Sequence, residues 1–281
     1  MTYRLRPKTM YMMPTHFGPM SGPRQDPNGN MGVFDNDDRD TESLSVSFLS
    51  RADQLEDMLP DRFCLVGDPV VTVTANYMTN IGWLAGRGYA ILSVTFNAGF
   101  QGAKEYVEGP FMAVLWENMT EPILTGREQL GFSKIFCELP NPIRDNGVVN
   151  CKASWDGFQF FEMKISDLST VKLSDQEQPA SLQKNKQSQG TLHYKYIPRT
   201  GVWGEVDAEY TVLTPRDSSR TIVDQSVGVG SVEFRSTTWD DMPTQCMIVN
   251  TLSRLEIVEY RAASIVRTKG ARDLLNQRIV E

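Results

Sequence analysis

Within Glu121-Pro122-Ile123-Leu124-Thr125-Gly126-Arg127-Glu128-Gln129-Leu130-Gly131-Phe132-Ser133-Lys134, one lysine stands among apolar residues just after a Gly-Arg-Glu turn. An ordinary lysine, with a pKa near about 10.4, is almost wholly ammonium at neutral pH and attacks no carbonyl. Burial among apolar groups, or a neighbouring cation, lowers that value and frees the amine as a nucleophile. If residues 133–139 form a strand, Lys134, Phe136 and Glu138 share one face while Ile135, Cys137 and Leu139 share the other. From spacing alone, a lysine at a strand start with its ammonium in water remains the ordinary alternative.

The segment resembles the active-site stretch of the acetoacetate decarboxylase superfamily, where Gly-Arg-Glu-x-x-x-(Phe/Tyr)-Pro-Lys delivers a Schiff-base lysine. Lys134 occupies that lysine's place, and acetoacetate decarboxylase is the reference case for an amine activated in this way. A protonated imine is an electron sink, so one lysine serves decarboxylation, aldol addition and dehydration. The resemblance implies a cofactor-independent, metal-free lyase acting on a keto acid, decarboxylation first. A pyruvate-type aldolase-dehydratase, an imine-independent enzyme of secondary metabolism and a non-catalytic ligand-binding barrel are the alternatives.

Around Lys134, Arg127 is expected to bind a substrate carboxylate through its planar fork, and Glu128 to hold that arginine or a substrate hydroxyl. The alternative for both is an ion pair that fixes the turn after Gly126. Phe132 and Phe136 supply apolar surroundings. The chain departs from the family at several positions: Ser133 replaces the proline before the lysine, and Ile135 replaces a second lysine. Ile91 falls where the decarboxylases carry a glutamate, and Thr41 where they carry an arginine, with Arg39 close by. Glu108 and Glu117 are the acidic residues able to supply the missing carboxylate, and Tyr260 the hydroxyl of a late strand near the pocket. Each has a bland reading as a solvated strand-end charge or a satisfied core tyrosine. His16 and His193, the two histidines, are too isolated for a metal site or triad.

Elements to position these groups are mostly strands. Alternating or β-branched runs at residues 44–49, 70–78, 89–96, 111–116, 134–139, 147–153, 157–165, 192–197, 208–213, 231–234 and 256–265 predict them, with one short helix at 52–59 ending before Pro60. Many unequal strands with little helix favour closure, which removes exposed edges. The expected fold is β-rich (α+β), an acetoacetate decarboxylase-like closed or cone-shaped barrel with a buried cavity and few short helices. A single domain spans residues 1–281. Residues 1–43, rich in proline and glycine, form an extended arm packed over the body or a neighbouring subunit. Residues 174–190 read as a surface excursion.

With 28 basic and 35 acidic residues the net charge is −7, which favours a small-molecule substrate over nucleic acid or an anionic membrane. Four scattered cysteines without a CxxC pair argue for reduced thiols, and no apolar run is long enough for a membrane span. A cytoplasmic homo-oligomer is the resulting expectation.

Overall fold

The computed structural model describes residues 4–34, 36–171, 189–216, 219–271 and 274–281. The excursion expected at residues 174–190 therefore lies almost wholly outside the described residues. Strands come in the order β1 (Asp40–Leu49), β2 (Phe63–Leu65), β3 (Val70–Thr79), β4 (Tyr89–Gln101), β5 (Tyr106–Glu117), β6 (Lys134–Phe136) and β7 (Ile143–Asp145). They continue with β8 (Val148–Trp155), β9 (Phe158–Thr170), β10 (Gly190–Pro198), β11 (Val206–Pro215), β12 (Thr221–Phe234), β13 (Glu259–Lys269) and β14 (Arg278–Ile279). Three short α-helices accompany them: α1 (Ala52–Glu56), α2 (Thr120–Thr125) and α3 (Cys246–Ser253).

All strands join one sheet in the order β14-β11-β10-β5-β4-β3-β1-β13-β12-β9-β8-β7, with β2 added to β4 and β6 added to β5. Its pairing is open: the path ends at β14 on one side and β7 on the other, so the expected closed barrel is not formed by hydrogen bonding among the described residues. Both terminal strands are only two or three residues long, which limits the free edge they present. Among the described residues no helix is long and apolar enough to cross a membrane.

Period-two alternation gives the sheet two unlike faces. Leu44, Val46 and Phe48 of β1, Val71, Val73 and Ala75 of β3, and Leu92, Val94 and Phe96 of β4 are buried together in the principal core. Trp116 of β5 and Cys137 and Leu139, just after β6, join them. The intervening residues of the same strands carry hydroxyls and amides that bond across the ladder. Ser43 donates to Asn76 at 2.5 Å, and Ser45–Thr74 and Ser47–Thr72 pair at 2.9 Å. Register explains the match, since Ser43, Ser45 and Ser47 stand opposite Asn76, Thr74 and Thr72. A one-residue slip would put these polar groups in the core, so the pattern fixes the pairing.

The arm belongs to this second face. Buried Gln25 ties it together: its amide nitrogen donates to the carbonyls of Met10 (2.7 Å) and Met20 (2.8 Å), and its carbonyl accepts from Met10 N–H (3.1 Å). From this knot Arg24 reaches across to Gln129, donating at 2.9 Å from Nη1. Gly22 backs onto Thr125, which a β-carbon there would meet at 3.8 Å. The arm thus covers the chain between α2 and β6.

On the core side, α3 locks β5 and β6. The Trp116 indole N–H donates to Gln245 at 2.7 Å, and the Gln245 amide donates to the Phe136 carbonyl at 3.0 Å. Trp116 is fully buried and Gln245 nearly so. Gln245→Ala orphans a buried donor and acceptor at once and should lower stability by about 1–3 kcal/mol. Urea unfolding of the two proteins checks it: a lower midpoint at constant slope is expected, and an unchanged midpoint would remove this network from the account of how β6 is held.

Candidate active site

Two turns set the position of Lys134. α2 runs into a π-helical turn, Gly126–Leu130, that ends at Gly131 with φ +75°, a conformation glycine adopts at no steric cost. Gly126 is needed for space: a β-carbon there would press on Lys134 Cδ and Cε and come to 2.6 Å of Nζ. Arg127 Nη1 then donates to the backbone carbonyl of Lys134 at 2.8 Å, tying the turn to the start of β6. β6 pairs in parallel with β5, Lys134 beside Leu115 and Phe136 beside Glu117. Alternation sends Ile135 and Cys137 to the principal core and Lys134 to the polar face beneath the arm.

There the Lys134 amine is buried, 7% exposed, and donates to two oxygens at 2.9 Å: Glu117 Oε1 and the Pro122 carbonyl at the start of α2. The Phe132 ring lies 5.1 Å from Nζ. Glu117, 1% exposed, has its second oxygen buried with no hydrogen-bond partner. Burial dominates both groups. It pushes the Lys134 amine below the ordinary lysine value against the pull of Glu117, and Arg24 and Arg39 add to the fall. It pushes the Glu117 carboxyl above its usual range, opposed by Lys134 and then Arg39. Burial thus narrows the gap between the two groups from both sides, while their mutual attraction opposes it. Tyr89, pushed up to about 12 by burial and then by Glu117, stays a phenol.

Behind Phe132 stands His193 of β10, wholly buried, with ring centroids 4.1 Å apart. Its Nε2 is 2.9 Å from the Thr214 hydroxyl. Burial, then Lys134, pulls its pKa down to about 3, so the ring is neutral and acts as packing behind the amine. Lys195, two residues on, donates to the Glu128 carbonyl at 2.7 Å and holds the π-helical turn from the other side.

Ile91, expected from the resemblance at the family's glutamate position, is the cross-strand partner of Glu117. The carboxylate is therefore present at the same level of the sheet, one strand over. Thr41 pairs with Met78, and the Arg39 guanidinium reaches the Met78 sulfur, returning an arginine to that neighbourhood.

The structure brings Lys134, Glu117 and Phe132 together; the other candidates stand elsewhere. Arg127 is exposed and engaged with a backbone carbonyl. Glu128 has an exposed side chain, and Phe136 is 43% exposed. Glu108 sits near the opposite end of β5, nine residues and about 30 Å from Glu117, beside Tyr106. The Tyr260 hydroxyl bonds both the N–H and the carbonyl of Val232 at 3.2 Å, and its ring packs on Phe48. The amine is enclosed by Glu117, Pro122, Phe132 and Gly126. A surface depression of about 330 Å³ is lined by Glu42, Arg144 and Arg267 instead. Arg24, Gln129 and His193 are the groups near the amine that sequence reasoning did not select.

Fold and site define a β-sheet protein with a desolvated lysine–glutamate pair under an N-terminal cover. The sequence profile described as Acetoacetate decarboxylase (ADC) matches residues 13–270, and the chain belongs to that family. No curated protein matches it in sequence. Among solved structures it is similar to an acetoacetate decarboxylase (TM-score 0.64, 13% identity, 88% of this chain and 91% of that one). It is also similar to the acetoacetate decarboxylase from Legionella pneumophila subsp. pneumophila str. Philadelphia 1 (TM-score 0.61, 16% identity, 89% and 90%). A third likeness is the enduracididine biosynthesis enzyme MppR complexed with pyruvate (TM-score 0.59, 15% identity, 91% and 95%).

A buried neutral histidine has a consequence for acid stability. Its folded pKa near 3 lies below the ordinary value of 6.5, so the unfolded chain binds the extra proton between those limits. Stability from this group is complete above about pH 6.5 and falls by up to about 1.4 kcal/mol per pH unit as pH drops toward 3. Subtracting the pH profile of His193→Gln from that of the unsubstituted protein, by urea unfolding at each pH, should isolate a positive slope in this window. Parallel profiles would mean that His193 is solvated and protonated in the fold.

Proposed function

We propose that this protein is a Schiff-base lyase acting on a keto acid, with Lys134 as nucleophile and Glu117 as its proton partner. The observation that carries this reading is the 2.9 Å pairing of two buried groups, in which burial lowers the affinity of the amine for its proton and raises that of the carboxyl. A neutral amine can add to a ketone without first discarding a proton to water. A protonated carboxyl beside it can give that proton to the departing hydroxyl, and Glu117 Oε2 has no other hydrogen-bond partner to hold it.

In the proposed sequence the Lys134 nitrogen forms a bond to the carbonyl carbon and yields a carbinolamine. Glu117 protonates its hydroxyl, water leaves, and a protonated imine remains. For a β-keto acid, the bond to the carboxylate then breaks, its electron pair enters the iminium, and carbon dioxide departs. The resulting enamine takes a proton from solvent at carbon; water then adds to the iminium carbon, giving one hydrogen to the Glu117 carboxylate and the other to the departing nitrogen, which releases the ketone and restores both amine and carboxyl. Charge neutralisation by the imine itself supplies the electron sink. Arg127 holds the Lys134 carbonyl and so ties the turn to the start of β6.

Family membership supports a decarboxylase or a related enzyme, and the likeness to a pyruvate-bound biosynthetic enzyme supports the aldol alternative. Both share the step tested here. Incubation with acetoacetate or pyruvate plus borohydride, followed by peptide mass spectrometry, should place a reduced adduct on Lys134. Lys134→Arg should abolish it, because a guanidinium stays protonated. Glu117→Gln removes the proton carrier and should slow adduct formation on the order of 100-fold, within the range ascribed to one positioned acid–base group. An unmodified Lys134 across a broad set of keto acids, with turnover of another substrate intact, would replace this reading by an imine-independent reaction.

A further inference from the structure

On β1, Glu42 shares a face with Leu44 and Val46, the side of the principal core. Ser43 is on the other side, level across the sheet with Asn76, Ile91 and Glu117, so Glu42 and the Lys134 amine lie on opposite faces. Glu42 stands opposite Arg267 of β13, which stands opposite Asp224 of β12, and the three project together. Arg144 lies on β7, at the far end of the sheet path from β1 through β13, β12, β9 and β8. Its Nη2 nevertheless donates to Glu42 Oε2, while Arg267 Nε donates to Oε1 at 3.0 Å. The sheet therefore curls until its β7 edge faces β1.

The depression of about 330 Å³ lies between these strands. Small-molecule sites span roughly 300–1,000 Å³ and combine an apolar lining with a few convergent polar groups. Val149, Leu168 and Ile265 supply the apolar part, and Val149 belongs to the principal core. The polar part carries both signs: the guanidiniums of Arg144 and Arg267, and the carboxylates of Glu42, Asp145 and Asp224. Glu42, with its side chain 17% exposed, holds both guanidiniums in place yet takes only one nitrogen of each. A guanidinium has five N–H donors in a planar fork, so donors remain on both for an acid group. Arg267 turns to Glu42 rather than to its cross-strand partner, and no ion pair engages Asp224 among the described residues. A bare anion would meet three carboxylates here, and a bare cation two guanidiniums. A zwitterion satisfies both signs.

We propose that this depression binds an α-amino acid with an apolar side chain. Arg144 and Arg267 hold its carboxylate, Asp224 holds its ammonium, and its side chain lies on Val149, Leu168 and Ile265. The site is separate from the Lys134 amine and does not depend on the Schiff-base reading.

Equilibrium dialysis of the natural protein tests this with three probes: L-leucine, isocaproate, which is leucine without its ammonium, and isopentylamine, which is leucine without its carboxylate. Leucine should bind more tightly than either by about 10-fold or more, the range expected for one hydrogen-bonded charged contact. Asp224→Asn should erase the preference for leucine over isocaproate and keep that over isopentylamine. Arg267→Gln can still donate to Glu42; it should erase the preference over isopentylamine and keep that over isocaproate. Each preference is a ratio measured within one protein, so a smaller folded fraction in a variant cancels. Because both substituted residues face away from the amine, this crossed pattern locates the ligand in the depression. The proposal is overturned if the natural protein binds no leucine, if isocaproate binds as tightly as leucine, or if both substitutions leave the preferences unchanged.

Discussion

Burial of two opposite charges at the junction of β5 and β6 is the constraint on which the surrounding structure depends. Removing an ammonium and a carboxylate from water costs several kcal/mol for each ion, and a single 2.9 Å contact offsets this only with further hydrogen bonding. The Pro122 carbonyl gives Lys134 a second acceptor, yet Glu117 Oε2 is left without a donor. The pair is under-compensated. Transfer of the proton relieves the deficit, because an amine and a carboxylic acid tolerate burial far better than two ions. The same shortage makes the pair a poor contributor to stability.

Holding such a pair requires stiffness that the pair cannot supply. It comes from both sides of the sheet: Trp116 and Gln245 fix β5 and β6 from the core, while Arg127 and Lys195 clamp the π-helical turn through the Lys134 and Glu128 carbonyls. Each of these longer side chains bonds to a backbone oxygen or an amide, so none competes with Glu117 for the amine. Phe132 and His193 complete the enclosure with rings packed at a tilt, and the neutral state of His193 avoids a further cation beside Lys134.

Much of the sheet was legible because period-two alternation survives in the sequence. Leu44, Val46 and Phe48 against Ser43, Ser45 and Ser47 reads directly as a strand with two unlike faces, and the same rule puts Cys137 opposite Lys134. Boundaries were less legible, since β4 and β12 run well beyond their β-branched cores at Tyr89–Phe96 and Ser231–Phe234. α3 escaped notice because its apolar run, Cys246-Met247-Ile248-Val249, is as compatible with a strand as with a helix. The motif located Lys134, and position beside Trp116 suggested Glu117; nothing local pointed to Arg24. Its neighbours are prolines and glycines without periodicity, and its bond to Gln129 joins positions 105 residues apart in sequence. His193 and Lys195 alternate with Leu192 and Tyr194, a pattern that reads as a half-buried strand with a solvated face, yet the fold buries both.

The pairing of Ile91 with Glu117 shows how the sheet sets the site. A sheet places residues of neighbouring strands side by side, with β-carbons of facing pairs about 4.5–5.5 Å apart. Ile91 and Glu117 are such a pair, so the acid on β5 has an apolar neighbour on β4. From β4 a carboxylate would be separated from β6 by the whole width of β5; from β5 it is on the strand that directly pairs with the lysine's own. Which strand supplies the acid therefore decides whether it can meet the Lys134 amine directly, and Glu117 does so at 2.9 Å.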